Sequence, residues 1–227
     1  MGDDVTTIIA ELGFSALGLG LLFFLALLFS AYVKIVTVLG MVRAGFGIGS
    51  LPGAFVTSGL ALALTFFVMF PSLRDSAAAV DGSLRGKLNA SDRDRAQAVS
   101  AGISEWKKFI ELHARKSEVE RFQAIAVKLD KKPPPTAGVD AAQKAKEVSW
   151  RVLAPAFIVS ELREAFQTGL SIFLPFLVID LLVAIGMAAV GIDRLNPVFV
   201  AFPLKLLMFV LLDGWSVITT NLVSTYV

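Results

Sequence analysis

Hydrophobic positions gather into four long runs, with one long polar stretch between the second and third. Leu12 to Val33 carries no charge across 22 residues. As a helix at about 1.5 Å per residue it would span about 33 Å, the thickness of a hydrocarbon core. Leu51 to Phe70 is the second run, with Pro52 at its start, where a missing amide donor does no harm, and Pro71 at its end. Between them Lys34 to Ser50 reads as a short connection carrying Lys34, Arg43, Gly45, Gly47 and Gly49. The glycine spacing lacks a preceding strand and the closing residues of a phosphate loop, so it predicts a flexible turn. The third run, Phe157 to Val190, is too long for one simple span, and Pro175 predicts a kink within it. Val198 to Val223 is the fourth.

The polar stretch has helical spacing of its own. Val99, Ile103, Trp106, Ile110 and His113 follow the 3-and-4 pattern of one buried face, and Phe122, Ile125, Ala126 and Leu129 continue it. Ser91 with Asp94 and Ser117 with Glu120 fit capping starts, which predicts two helices broken near Lys116. Lys131-Lys132-Pro133-Pro134-Pro135 ends the second, and the chain re-enters a helix after Asp140. The organisation is therefore all-α: membrane-associated helical hairpins with a charged helical insert. It divides into residues 1–71, an insert at 72–151, and residues 152–227 with a loop at 186–197.

Composition supports a membrane subunit, since 56% of the 227 residues are hydrophobic and mean hydropathy is +0.72, values rare in a soluble domain of this size. Ser72 to Arg151 holds 16 of the 21 basic residues and 11 of the 19 acidic ones, but an insert this long exceeds the reach of the positive-inside rule. With no cysteine and one histidine, disulfides, thiolate metal sites, thiol nucleophiles and histidine-clustered metal sites are excluded. No hydrolase signature occurs, so no enzymatic activity and no cofactor are expected. His113 reads as a packed side chain. Lys107, Lys108, Arg115 and Lys116 read as a solvated basic face, without the aromatic interleaving that would recommend nucleic acid. The acidic start, Met1-Gly2-Asp3-Asp4, does not resemble a secretory signal.

The informative charges lie inside the apolar runs. Lys34, Arg43, Glu161, Asp180, Lys205 and Asp213, with Arg163 and Glu164 nearby, sit among Phe, Leu, Ile and Val. A lipid-facing carboxylate costs roughly 2.5 to 3.5 kcal/mol on insertion scales, so each is expected to face a protein partner or a wet cavity. Lys205 and Asp213 lie about 80° apart around a helix and about 12 Å along it, so they cannot pair with each other. Each needs a partner elsewhere, which implies helix packing within or between subunits.

Four blocks together resemble one family, the export-gate subunit of type III secretion, called SctR in injectisomes and FliP in flagella. They are Lys34 to Leu39 with Arg43, Pro52, Gly59 to Thr65 and Met69-Phe70-Pro71; Phe109 to Phe122; Pro155-Ala156-Phe157, Ser160-Glu161-Leu162, Ala165-Phe166-Gln167 and Phe173 to Asp180; and Phe202 to Leu206 with Asp213-Gly214-Trp215. The resemblance implies a non-enzymatic pore in the bacterial inner membrane, multi-pass in sequence, with its gate raised toward the periplasm and the insert on that side. It implies a helical ring of about five copies, assembled with SctT/FliR-like and SctS/FliQ-like subunits and other secretion components, that passes unfolded secreted proteins. Neighbouring protomers are then expected to answer the charges around a shared conduit. The absence of a signal and the chain length resemble the injectisome branch, with a flagellar gate as the alternative and an ion-coupled secondary transporter as the rival from another class. Where the family carries Gly and three methionines, this chain has Gly186-Met187-Ala188-Ala189-Val190, followed by an insertion before Pro197. Met187, Ala188 and Ala189 are expected at the constriction, where the two alanines imply either a looser seal or one that Ile192 and Leu195 supply instead.

Overall fold

The computed structural model describes residues 17–47, 53–85, 91–129, 148–192 and 194–227. The described residues form eight helices and no strand: α1 (Leu17–Leu28), α2 (Tyr32–Gly45), α3 (Ala54–Leu84), α4 (Asp92–His113), α5 (Lys116–Leu129), α6 (Trp150–Val190), α7 (Pro197–Leu211) and α8 (Gly214–Ser224). This is the all-α architecture expected. By length and composition α3 and α6 can each cross a membrane, and the bent pairs α1–α2 and α7–α8 can do so if each counts as one span.

Several boundaries differ from the sequence reading, each for a local reason. The first run does not continue straight to Val33, because the Ser30 hydroxyl donates to the Leu27 carbonyl at 2.8 Å and accepts from the Tyr32 amide at 3.2 Å. That side chain competes with the helical ladder, and α1 meets α2 at 73°. The freed Phe29 carbonyl accepts a 2.7 Å bond from Trp106 Nε1 of α4, so the insert satisfies the break.

The supposed connection after Val33 is α2, the most enclosed helix of the fold. Ile35, Val38, Leu39, Val42 and Phe46 form a buried stripe against Ala61, Ala165, Phe176, Phe209, Ile218 and Leu222. Only Gly47, at φ 77°, has the turn geometry expected of the glycine cluster; Gly49 lies outside the described residues.

α3 runs through Pro71 rather than ending there, and α6 runs through both Pro155 and Pro175. A proline interrupts one ladder bond, and apolar packing on both sides carries the helix past it. The expected divisions after residues 71 and 151 therefore fall inside helices. The fourth run breaks instead at Asp213, whose φ is 48°, and α7 meets α8 at 62°.

In the insert, Ser91 and Asp94 form the expected capping box. Replacing Ser91 with alanine is expected to lower the insert's stability by about 1 kcal/mol, read as faster amide exchange in the first turn of α4. The second box does not form, because α5 already starts at Lys116 with Arg115 as the first carbonyl acceptor, which places Ser117 inside the helix. Phe109, Ile110 and Ala114 bury against Met69, Leu153 and Phe157, whereas Val99, Ile103, Ile125 and Leu129 remain exposed. The expected face is thus covered only toward the C-terminal end of α4. The proline run and the helix expected after Asp140 lie outside the described residues up to residue 147.

Candidate functional site

Lys34 precedes the buried stripe of α2 and turns toward α6, so its ammonium enters protein. Its Nζ donates to Glu164 Oε2 at 2.8 Å and Thr225 Oγ1 at 3.3 Å, lies 3.4 Å from Glu161 Oε1, and sits 4.0 Å from the Tyr226 ring centroid. The Tyr226 hydroxyl donates to Glu161 Oε2. Glu161 and Glu164 are three residues apart and share one face of α6. Glu164 Oε1 accepts from Arg115 Nε at 2.9 Å, and the Arg115 amide donates to Ser160 Oγ at 2.9 Å. Two cations and two carboxylates from α2, the α4–α5 turn and α6 thus neutralise one another, with Thr225 and Tyr226 closing the cluster after α8. Beside it the buried Glu118 accepts from Arg163 at 3.0 Å and Arg121 at 3.3 Å.

His113 borders this cluster. Its ring lies 4.3 Å from that of Phe109 and 5.1 Å from that of Tyr226, and its Nδ1 meets the Phe109 carbonyl at 2.8 Å. Burial, seconded by the Lys34 charge and opposed by the Phe109 carbonyl, holds the imidazole below its ordinary value of 6.5. Burial and the Glu161 carboxylate push the Tyr226 phenol well above its usual range, so it remains a donor. Because folding depresses the His113 pKa, its neutral form supports stability fully above about pH 6.5 and that support is lost as pH falls. Acidifying from pH 7.5 to 5.5 is expected to lower the thermal midpoint more in the parent than in His113→Gln, measured by scanning calorimetry in detergent.

A second buried cation lies deeper. Lys205 Nζ donates to Asp180 Oδ2 and to the Gly45 carbonyl, each at 2.7 Å. Gly45 ends α2, so the ammonium meets a carbonyl left without a helical donor at the negative end of the helix dipole. The expectation of a neighbouring protomer is corrected in favour of the packing within the subunit that the sequence reading also allowed: Lys34, Glu161, Asp180 and Lys205 all find partners within the chain. The cause is the central position of α2, which lies within reach of both α6 and α7. Arg115 is corrected too, since Glu164 binds it and it is no member of a purely solvated face. Asp213 is exposed, with no side-chain ion pair or hydrogen bond among the described residues.

At the far end of α6, Gly191 takes φ 73° and donates to the Ala188 carbonyl, while Ile192 donates to Met187. These two bonds make a Schellman ending. Asn196 then caps α7 through Val198, with Pro197 at its first position. On α6 Met187 is buried, 8% exposed, whereas Val190, Ile192 and Leu195 are exposed at 74%, 42% and 59%. Ala188 and Ala189 are exposed as well.

The sequence reading missed Arg115 and Tyr226 as members of the cluster. One signal was available, the polar stripe Ser160, Glu161, Glu164 and Gln167 at 3-and-4 spacing along an apolar helix. Residues 16–222 match the FliP family. The chain belongs to that family. Its FliP-type sequence is 38% identical to "Pathogenicity-related ORF2" of Xanthomonas campestris pv. glycines, over 92% of each chain. It is 34% identical to "Hypersensitivity response secretion protein HrcR" of Ralstonia nicotianae, over 96% of this chain and 97% of that one. It is also 33% identical to "Flagellar biosynthetic protein FliP" of Bacillus subtilis, over 88% of this chain and 84% of that one.

Proposed function

We propose that this chain is a core pore subunit of a type III protein secretion apparatus. Several copies, about five, would form with SctT/FliR-like and SctS/FliQ-like subunits a gated channel for unfolded polypeptides across the bacterial inner membrane. Membership of the FliP family makes it a subunit of the type III export apparatus, and the HrcR relative favours the injectisome over the flagellum. The observation that carries the pore reading is where polarity ends and apolar surface begins. Lys34, Glu161, Asp180 and Lys205 inside the apolar helices are paired within the chain, while Leu181, Leu182, Ile185, Phe199, Leu207 and Leu211 stand exposed along α6 and α7. Such a surface suits contact with other apolar helices and lipid.

For the seal, the burial of Met187 moves the role to the loop. Ile192 and Leu195 are exposed side chains of that loop, so they line the constriction, while Met187 is buried and Ala188 and Ala189 fill little space. Co-expression with the partner subunits, native mass spectrometry and planar-bilayer recording test both parts. A multimer with small helical partners is expected, and Ile192→Ala with Leu195→Ala is expected to raise ion conductance severalfold over the parent. A lone monomer or symmetric dimer would instead favour a secondary transporter, and unchanged conductance would remove the loop from the seal.

A further inference from the structure

We infer that the Leu212–Asp213 elbow of one copy seats in a recess beside Arg43 of the next, pairing Asp213 with that arginine. This contact rests on the ring assembly proposed above and specifies which surfaces meet.

The elbow is built to project. Asp213 holds a left-handed φ of 48° and precedes α8 without accepting a capping hydrogen bond, so its side chain forgoes the role aspartate usually serves at a helix start. Non-glycine residues in this region cost of order 1 kcal/mol or more. The next residue must be glycine, because a Cβ on Gly214 would overlap the Phe209 ring. Around the carboxylate Val210, Leu211, Leu212 and Val217 are exposed. A bare carboxylate amid apolar surface on a membrane-length helix pair is expected to face a protein partner or a wet cavity, and a cation on a neighbouring copy would serve as that partner.

The recess is the complementary surface. Gly40, Arg43, Ala44 and Gly47 line an open hollow of about 260 Å³ on the outer side of α2, opposite the buried stripe of Ile35, Val38, Leu39 and Val42. Two glycines and an alanine let another backbone approach closely. Arg43 holds a contact of its own within the chain, and the five donors of a guanidinium can serve that contact and a carboxylate together.

Depth selects this pair. Met41 meets α6 at Gly169 and Gly45 meets it at Phe176, so Arg43 stands level with the α6 segment between them. Leu212 and Gly214 share a groove with Ile172, Pro175 and Phe176, which puts Asp213 at the same level. Copies in a helical ring are related mainly by rotation about an axis along the helices, so a head-to-tail contact brings groups at neighbouring levels together. Lys34 and Lys205 are buried and engaged. Arg194 lies beyond the other end of α7, about 22 Å away along a 15-residue helix.

The chain has no cysteine, which makes the test direct. Chains carrying only Arg43→Cys are co-expressed with chains carrying only Asp213→Cys, alongside the partner subunits, and in the membrane are oxidised mildly or, because an arginine–carboxylate pair spans more than a disulfide, treated with a short bifunctional thiol reagent. A covalent dimer is expected, and the double variant is expected to give a ladder of multimers. The pair Arg194→Cys with Asp213→Cys should give neither. Asp213→Asn, which keeps the left-handed backbone accessible, is expected to lower the assembled fraction roughly tenfold; Asp213→Arg should abolish assembly, and Arg43→Asp should restore it in the same chain. A disulfide confined to one chain, or no cross-link in multimers that native mass spectrometry finds intact, overturns this contact while leaving the ring. Absence of any multimer from the parent chain overturns the ring itself.

Discussion

Replacing Lys34 with methionine is expected to remove most of the folded subunit from the membrane. The ammonium is 1% exposed and stands between Glu161, fully buried, and Glu164. Without it two carboxylates share one enclosed face, with Arg115 left to answer Glu164 alone. Breaking a buried pair from one side costs about 3 to 5 kcal/mol, a large part of the roughly 5 to 15 kcal/mol that holds a domain folded. Abundance of detergent-extracted subunit should fall more than tenfold. Restoring neutrality should reverse much of this, because a buried ion pair replaced as a whole is often tolerated. Lys34→Met with Glu161→Gln keeps an acceptor for Tyr226 and removes both charges. Recovery of assembly and export in the double variant assigns the cluster to architecture, whereas recovery of assembly without export would assign Glu161 a role in proton transfer. Normal abundance of Lys34→Met alone would contradict the arrangement described.

The cluster also explains which parts of the fold were legible in the chain. Membrane helices, the charged insert and the first cap of α4 follow from local rules: run length, 3-and-4 spacing and Ser91 with Asp94. What local rules misplace is α2. Lys34, Arg43 and three glycines made it look like a connection, although Ile35, Val38, Leu39, Val42 and Phe46 carry helical spacing. A charge at the edge of an apolar stripe reads as a terminus when its partner is distant, and Glu164 lies 130 residues away. The same distance hid Tyr226, whose role depends on α8 folding back beside α6. The breaks at Ser30 and Asp213 depend on single side chains or dihedrals within apolar runs, where hydropathy is blind. Residues 186–197 were legible as a region that departs from the family pattern, but the burial of Met187 depends on which face of α6 is covered, which its local sequence does not reveal.

Lys205 and Asp180 form one ion pair but should respond unequally to substitution. Lys205 is 1% exposed and serves two acceptors, one of them the terminal carbonyl of the central helix; Asp180 is 38% exposed and can be hydrated in part. Lys205→Ala therefore strands the Gly45 carbonyl in a dry place, at about 1 to 3 kcal/mol for the unmet acceptor, besides uncovering Asp180 and opening space beneath Phe46. Asp180→Asn keeps an oxygen for the ammonium, loses the charge and sets its amide nitrogen where Oδ1 is buried without a partner. The expected order is a strong loss of assembled complex for Lys205→Ala, larger than about tenfold, and a severalfold loss at most for Asp180→Asn, measured as complex recovered with the partner subunits. Equal losses would mean that the pair, and not the capped carbonyl, sets the position of α2. Intact Asp180→Asn complexes that export nothing would separate the carboxylate from assembly and give it a function of its own. The inequality is the informative quantity, because it distinguishes a lysine that closes the end of a helix from one that merely neutralises a neighbour.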